Sequence, residues 1–249
     1  MNQGKIPLNL QPPVKGPADP QVAMQPVNMA ARKPSPPDHL TKQKIIDSAL
    51  TLYAQKGIDG VPVRELTAHA GVNIAAIHYH FGGTAALAEE VFSELAAQVN
   101  RRRTLALADI IEAARQKGRR AEVADIVAAF VEPYVGPQSA TEGQLLAQLI
   151  LKHRLSPSEM TERVIKKHFD PMAKAFVAAL HASVPEVSLD LMYRRYMLMV
   201  STVVLSTSDR GSTSRLQRLL GKKASASEGD VLKSTLVEFI VAGMQGQAK

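Results

Sequence analysis

"VRELTAHAGVNIAAIHYHFGG", residues 63–83, decides the fold. It divides into two short helices, 63–70 and 74–81, hinged on Gly71 and closed by Gly82-Gly83. Pro62 suits the first helical turn. Gly71 supplies a residue without Cβ where the chain reverses. Asn73 is placed to cap the second helix. Val63, Leu66, Ala70, Val72 and Ile77 form the small core that fixes the angle between the two. These are helix-turn-helix proportions, in which the second helix lies in the major groove of DNA and the first crosses the backbone.

The second helix carries two histidines around a tyrosine, in a chain only 4% aromatic. Successive residues turn by about 100°, so His78 and His80 point about 200° apart. They cannot chelate one metal as an i, i+4 pair does. No nearby carboxylate or cysteine completes a site, and neither Ser48 nor Thr84 stands in a legible nucleophile–base arrangement. A contact surface remains. Ala75 and Ala76 permit close approach to a groove and can touch a thymine methyl. His78, Tyr79 and His80 offer donors to phosphates and base edges. Ile77 and Phe81, four apart, are expected to face inward.

The helical pattern continues on both sides. Upstream, Ile45, Ala49, Leu52 and Tyr53 fall on one stripe, with Thr41 as the expected N-cap and Gly57 as the stop. Downstream, the spacing predicts helices over about 84–115, 121–132, 141–154, 158–182, 188–208 and 230–245, the first capped by Thr84. Pro133, Pro137, Pro157 and Pro185 are expected between helices. Pro171 is expected to kink or split the one it interrupts. Residues 210–230 read as a polar loop with one short helical turn. No stretch alternates with period two, so the fold is predicted to be all-α. Residues 1–38 hold nine of the fifteen prolines and show no apolar period. They read as a disordered arm.

The 249 residues include no cysteine and carry a formal net charge of +7 with a pI of about 9.6. Disulfides and thiolate sites are excluded. A basic chain suits a polyanionic partner. No apolar run approaches the roughly 20 residues of a membrane span, and the N-terminus has no apolar signal core. A cytoplasmic protein without cofactor or membrane partner is expected. Nothing supports an enzyme: no paired carboxylates, no metal spacing, no Gly-rich phosphate loop.

"KQKIIDSALTLYAQKGIDGVPVRELTAHAGVNIAAIHYHFGGTAAL" (42–87) resembles the N-terminal DNA-binding domain of TetR-family transcriptional regulators, over about residues 42–95. "ALTLYAQKG", "VRELTAHAGV" and "IHYHFG" stand in the family's order and spacing. The resemblance implies a three-helix DNA-binding domain, here 39–85 with its motif at 62–81. It also implies a larger helical ligand-binding and dimerisation domain, 86–249. Arg64, Asn73, Ala75, Ala76, His78, Tyr79, His80 and Thr84 would lie near DNA. Val61 and Pro62 stand where the family commonly has Ser or Thr, Thr84 where it has Lys, and His78 where it has Tyr or Asn. "VNIAAIHYHFGG" is similar to a fatty-acid-responsive branch.

A repressor released from a palindromic operator by a small apolar or amphipathic ligand is the leading expectation. A DNA-bound architectural or division-regulating scaffold is the alternative. Pocket candidates are Phe130, Leu146, Leu149, Ile150, His153, Arg154, Phe169, Met172, Phe176 and Met197. The broad apolar faces near the C-terminus suit a homodimer bundle. Its candidates are Leu191, Met199, Val203, Leu232, Leu236, Phe239, Ile240 and Gly243. Arg101, Arg102 and Arg103 are expected on a solvated helix surface.

Overall fold

The computed structural model describes residues 36–136, 140–208, 215–221 and 228–246. Among them every regular element is helical. The motif follows from its punctuation. Helix α1 (Pro36–Lys56) ends at Gly57, whose φ is +73°. Helix α2 (Val63–Ala70) ends at Gly71 with φ +66°, and Val72 N–H donates back to the Thr67 carbonyl at 3.0 Å. Two residues later Asn73 Oδ1 accepts from Ala76 N–H at 2.9 Å and starts α3 (Ile74–Phe81). Gly82, φ +81°, stops it. Leu66 and Ile77 are buried between the helices. Tyr53 of α1 stacks on Phe92 of α4 (Thr84–Gln116), ring centroids 6.2 Å apart.

The remaining helices are α5 (Val123–Val135), α6 (Ala140–Leu155), α7 (Glu159–Val164), α8 (Asp170–Ser183), α9 (Leu189–Ser208), α10 (Arg215–Leu220) and α11 (Glu228–Gln245). Helix α5 is central, packed on α4, α6, α8, α9 and α11. Its Phe130 meets Phe176 of α8 and Tyr196 of α9 edge-on, at 5.5 and 5.7 Å. Gly143 of α6 lies so close to α5 that a Cβ there would stand 2.5 Å from Tyr134 Cα. The motif helices are joined to this bundle. Helix α1 packs on α6, Lys152 pairs with Asp59, and Arg163 forks onto Glu89 at 2.9 and 2.7 Å. Among the described residues no helix is long and apolar enough to cross a membrane.

Several expectations need correction. The arm was expected to run to residue 38, but α1 starts at Pro36. Prolines fit a first turn, whose N–H groups have no helical acceptor. Thr41 therefore lies inside α1 and is not its N-cap; residues 1–35 lie outside the described residues. Thr84 is the first residue of α4, not its cap, and Gly83 precedes it with φ +150°. Pro133 lies inside α5, not beyond it. It falls in the last turn, where it leaves the Ala129 carbonyl without its helical donor, and Gly136 N–H closes the end on the Glu132 carbonyl at 2.8 Å. Pro171 does interrupt its helix. A π turn over Ile165–Phe169 precedes it, and α8 restarts at Asp170. Within the expected 210–230 loop, Arg215–Leu220 is helical, while 209–214 and 222–227 lie outside the described residues.

Candidate nucleic-acid interface

Helix α3 sorts its eight side chains by angle. Ile77 is fully buried, and Ala76, His80 and Phe81 are half-buried on the flanks of the core. Ile74, Ala75, His78 and Tyr79 are exposed and fall at i, i+1, i+4 and i+5, one continuous face. Tyr79 is 75% exposed. Its ring meets His80 edge-on at 5.0 Å, and His80 in turn lies 6.3 Å from the Phe81 ring. Asn73, Arg64 and Thr84 are exposed around this face. Phe81, expected to face inward, packs against the core from its margin and is half-buried, with Lys42 Nζ 5.5 Å above its ring. Lys42 also pairs with Glu90 at 2.5 Å. Among the described residues no three His, Asp or Glu side chains converge on a metal-sized space.

Further from α3, a cavity of about 270 Å³ opens between α5, α6, the π turn, α8 and α9. Of the pocket candidates, Phe130, Ile150, His153, Arg154, Phe169, Met172 and Met197 line it. Leu146, Leu149 and Phe176 do not; they are fully buried in the packed core. Tyr134, Ile165, Asp170 and Tyr196 also line it and were not anticipated. Pro171 was the available signal for two of them, because the π turn it accompanies begins at Ile165 and hands over to α8 at Asp170, both on the cavity wall. Tyr196 donates to Met172 Sδ at 3.7 Å, and burial pushes its phenol well above the usual range. His153 Nδ1 lies 3.1 Å from Thr161 Oγ1.

Behind one wall sits a residue whose placement reverses the expectation. Arg103 is 1% exposed, not solvated. Its guanidinium lies over the rings of Phe130 and Tyr134, at 4.5 and 4.6 Å. Nε and Nη2 donate to the Phe130 carbonyl, and Nη1 donates to Asn100 Oδ1 at 3.2 Å. Asn100 Nδ2 donates in turn to the His168 carbonyl in the π turn, at 2.7 Å. Stacking, the Phe130 carbonyl and the Asn100 side-chain oxygen hold the cation where no carboxylate reaches it among the described residues. Burial, followed by the Lys167 charge, lowers the His168 pKa.

The dimer candidates divide. Met199, Val203, Leu236 and Ile240 are buried within the protomer, because α11 packs on both α5 and α9. Leu191 and Leu232 are half-buried, Gly243 is exposed, and Phe239 is 69% exposed. The outward apolar face is instead Leu198 and Leu205 of α9 beside Phe239 of α11. Arg195 donates to the carbonyls of Met244 and Gly246 at 2.7 and 2.6 Å and closes the end of α11.

Known proteins match in two segments. The profile of the bacterial regulatory proteins of the tetR family matches residues 45–91. That of the tetracyclin repressor-like C-terminal domain matches 128–243. The probable HTH-type transcriptional regulator YttP of Bacillus subtilis (strain 168) is 50% identical over 54 residues, 22% of this chain and 26% of that protein. IcaR of Staphylococcus aureus (strain Newman), a negative transcriptional regulator of the biofilm operon icaADBC, is 35% identical over 49 residues, 20% of this chain and 26% of its own. The chain thus matches about a quarter of the length of these relatives. Two solved structures share the fold. A transcriptional regulator from Rhodococcus sp. Rha1 has a TM-score of 0.58 at 17% identity, covering 82% of this chain and 96% of its own. HlyIIR, a hemolysin II transcriptional regulator, has 0.55 at 15%, covering 84% and 99%. With both profiles in order along one helical architecture, the chain belongs to the TetR family of transcriptional regulators.

Proposed function

We propose that this chain is a transcriptional repressor that binds a palindromic operator as a homodimer and releases it when a small amphipathic ligand fills the cavity. The observation that carries the reading is the outward face of α3, held by the Gly71 turn and the Asn73 cap. Ala75, His78 and Tyr79 would enter the major groove. Arg64, Asn73 and Thr84 would meet the phosphates, and Ala76 and His80 would sit at the edge of the contact. Two-fold pairing through Leu198, Leu205 and Phe239 would give the operator its symmetry. Residues 39–85 would then serve DNA, and 86–249 would serve ligand and partner. Such a protein works in the cytoplasm, where its DNA is. That IcaR is named a negative regulator supports repression over activation.

The cavity favours a ligand-released repressor over a scaffold without effector. Selection of bound sequences from a random duplex pool, followed by fluorescence anisotropy on the enriched duplex, tests the proposal. Enrichment of an inverted repeat is expected. A protein that binds all duplexes alike, with affinity set by salt alone, is not this regulator.

A further inference from the structure

We infer that Ile74, together with Ala75, reads the C5-methyl groups of thymines in the operator, so that the preferred half-site carries thymine opposite the N-terminal turn of α3. The inference rests on the regulator proposed above and names what its groove-facing helix recognises.

The argument begins with what α3 lacks. Between residues 74 and 81 there is no Arg, Lys, Asn, Gln, Asp or Glu. Those are the side chains that read guanine, adenine and cytosine by paired or accepting hydrogen bonds. Asn73 adjoins the helix, but its Oδ1 is engaged by Ala76 N–H at 2.9 Å, so the paired contact with adenine would compete with the cap that starts α3. The exposed face therefore has hydrogen-bonding groups only on His78 and Tyr79, and the rest of it is aliphatic.

Ile74 is the largest part of that aliphatic surface, and nothing in the protein's own packing calls for it. It is 53% exposed, whereas Ile77, three residues on, is fully buried. The hydrophobic pair that fixes the entry angle of a capped helix joins the residue before the cap to the fourth residue inside. Here these are Val72 and Ile77, which belong to the core cluster and its margin, while Ile74 stands outside it. The branched side chain thus crowns the first turn of the helix, the part that approaches base edges in this motif. In the major groove the one apolar group presented by unmodified base pairs is the thymine methyl. Apolar contact there removes a methyl-sized area from water on both partners.

The test uses the full-length protein and the duplex enriched by selection. Each thymine of a half-site is replaced in turn by deoxyuridine, which lacks only the methyl group. Binding is expected to weaken about fourfold at one or two positions, as one buried methyl-sized group implies. Ile74→Ala is expected to weaken the thymine duplex by a similar factor and leave the deoxyuridine duplex unchanged, so that the ratio falls to about one at one of those positions. Its helix content should match wild type, because Ile74 supports no core. Uniform affinity across the deoxyuridine series overturns the inference alone, as does an Ile74→Ala protein that keeps the wild-type ratios throughout. A pool yielding no enriched sequence overturns the regulator proposal as well.

Discussion

The guanidinium of Arg103 donates two hydrogen bonds to the main-chain carbonyl of Phe130, from Nε at 3.2 Å and from Nη2 at 3.0 Å. An α4 residue and an α5 residue, 27 positions apart, are thus joined at the inner wall of the cavity. Arg103→Ala removes these bonds, the stacking on two rings and most of a buried side chain. A loss on the order of 3 kcal/mol is expected in chemical denaturation. Arg103→Met keeps a long, polarisable chain between the rings and should lose clearly less. Equal losses would show that charge and hydrogen bonding, not volume, decide this site.

Tyr79→Ala is expected to weaken operator binding by about 1–3 kcal/mol and leave thermal stability unchanged, since the ring is largely in solvent. Phe81→Ala should act in the opposite sense, costing stability. Because the ring is only half covered, the loss should be nearer 1–2 kcal/mol than the roughly 3 kcal/mol or more of a fully buried phenylalanine. Anisotropy and thermal melts on both variants separate the two roles.

Asn73→Ala removes the acceptor that starts α3. A loss of about 1 kcal/mol in stability is expected, and Asn73→Asp should restore most of it. An unchanged melt for the alanine variant would mean that the Gly71 turn positions α3 without the cap.

Phe239→Arg and Leu198→Arg place a charge on the outward apolar face. They should yield folded monomers in sedimentation at micromolar concentration. Leu236→Arg has a different expected outcome. Leu236 is 4% exposed inside the protomer, so a buried charge there should destabilise the fold by about 3 kcal/mol or more. A folded, dimeric Leu236→Arg protein would contradict that burial.

Glu89 gives a pH test. Its two hydrogen bonds from Arg163, the largest influence on it, hold the carboxyl below its ordinary value. A depressed folded-state value contributes stability that is present above the unfolded value of about 4.3 and lost as the pH falls through the lower, folded value. Glu89→Gln should therefore cost at most about 1 kcal/mol at pH 7. The difference from wild type should shrink as the pH falls below the unfolded value of about 4.3. A gap that stays constant as the pH falls would rule out this linkage.

The motif was legible in the sequence to within a residue because its boundaries are set locally. Gly57, Gly71 and Gly82 occupy left-handed φ, and Asn73 caps the next amide but two. The bundle was legible as helices but not as faces. Periodicity gives the width of an apolar stripe and not the neighbour that covers it. Met199, Val203 and Ile240 therefore looked available for a partner, though α5 and α9 had already claimed α11. Arg103 was illegible for the same reason in reverse. Its acceptor and its stacking rings lie on another helix, and a run of three arginines gives no local sign that the third turns inward.

Helix α4 runs unbroken for 33 residues and carries Thr84 at one end and Arg103 nineteen residues on. At 1.5 Å per residue that makes a stiff arm about 28 Å long. A tilt of about 5° about the Arg103 end would swing the Thr84 end through about 2.5 Å. Two such arms swinging apart would widen the span between paired recognition helices by about 5 Å. In the proposed dimer the half-sites would stay fixed about 34–36 Å apart along the duplex. A rod of this length would then turn a sub-ångström change beside Phe130 into a mismatch larger than a hydrogen bond.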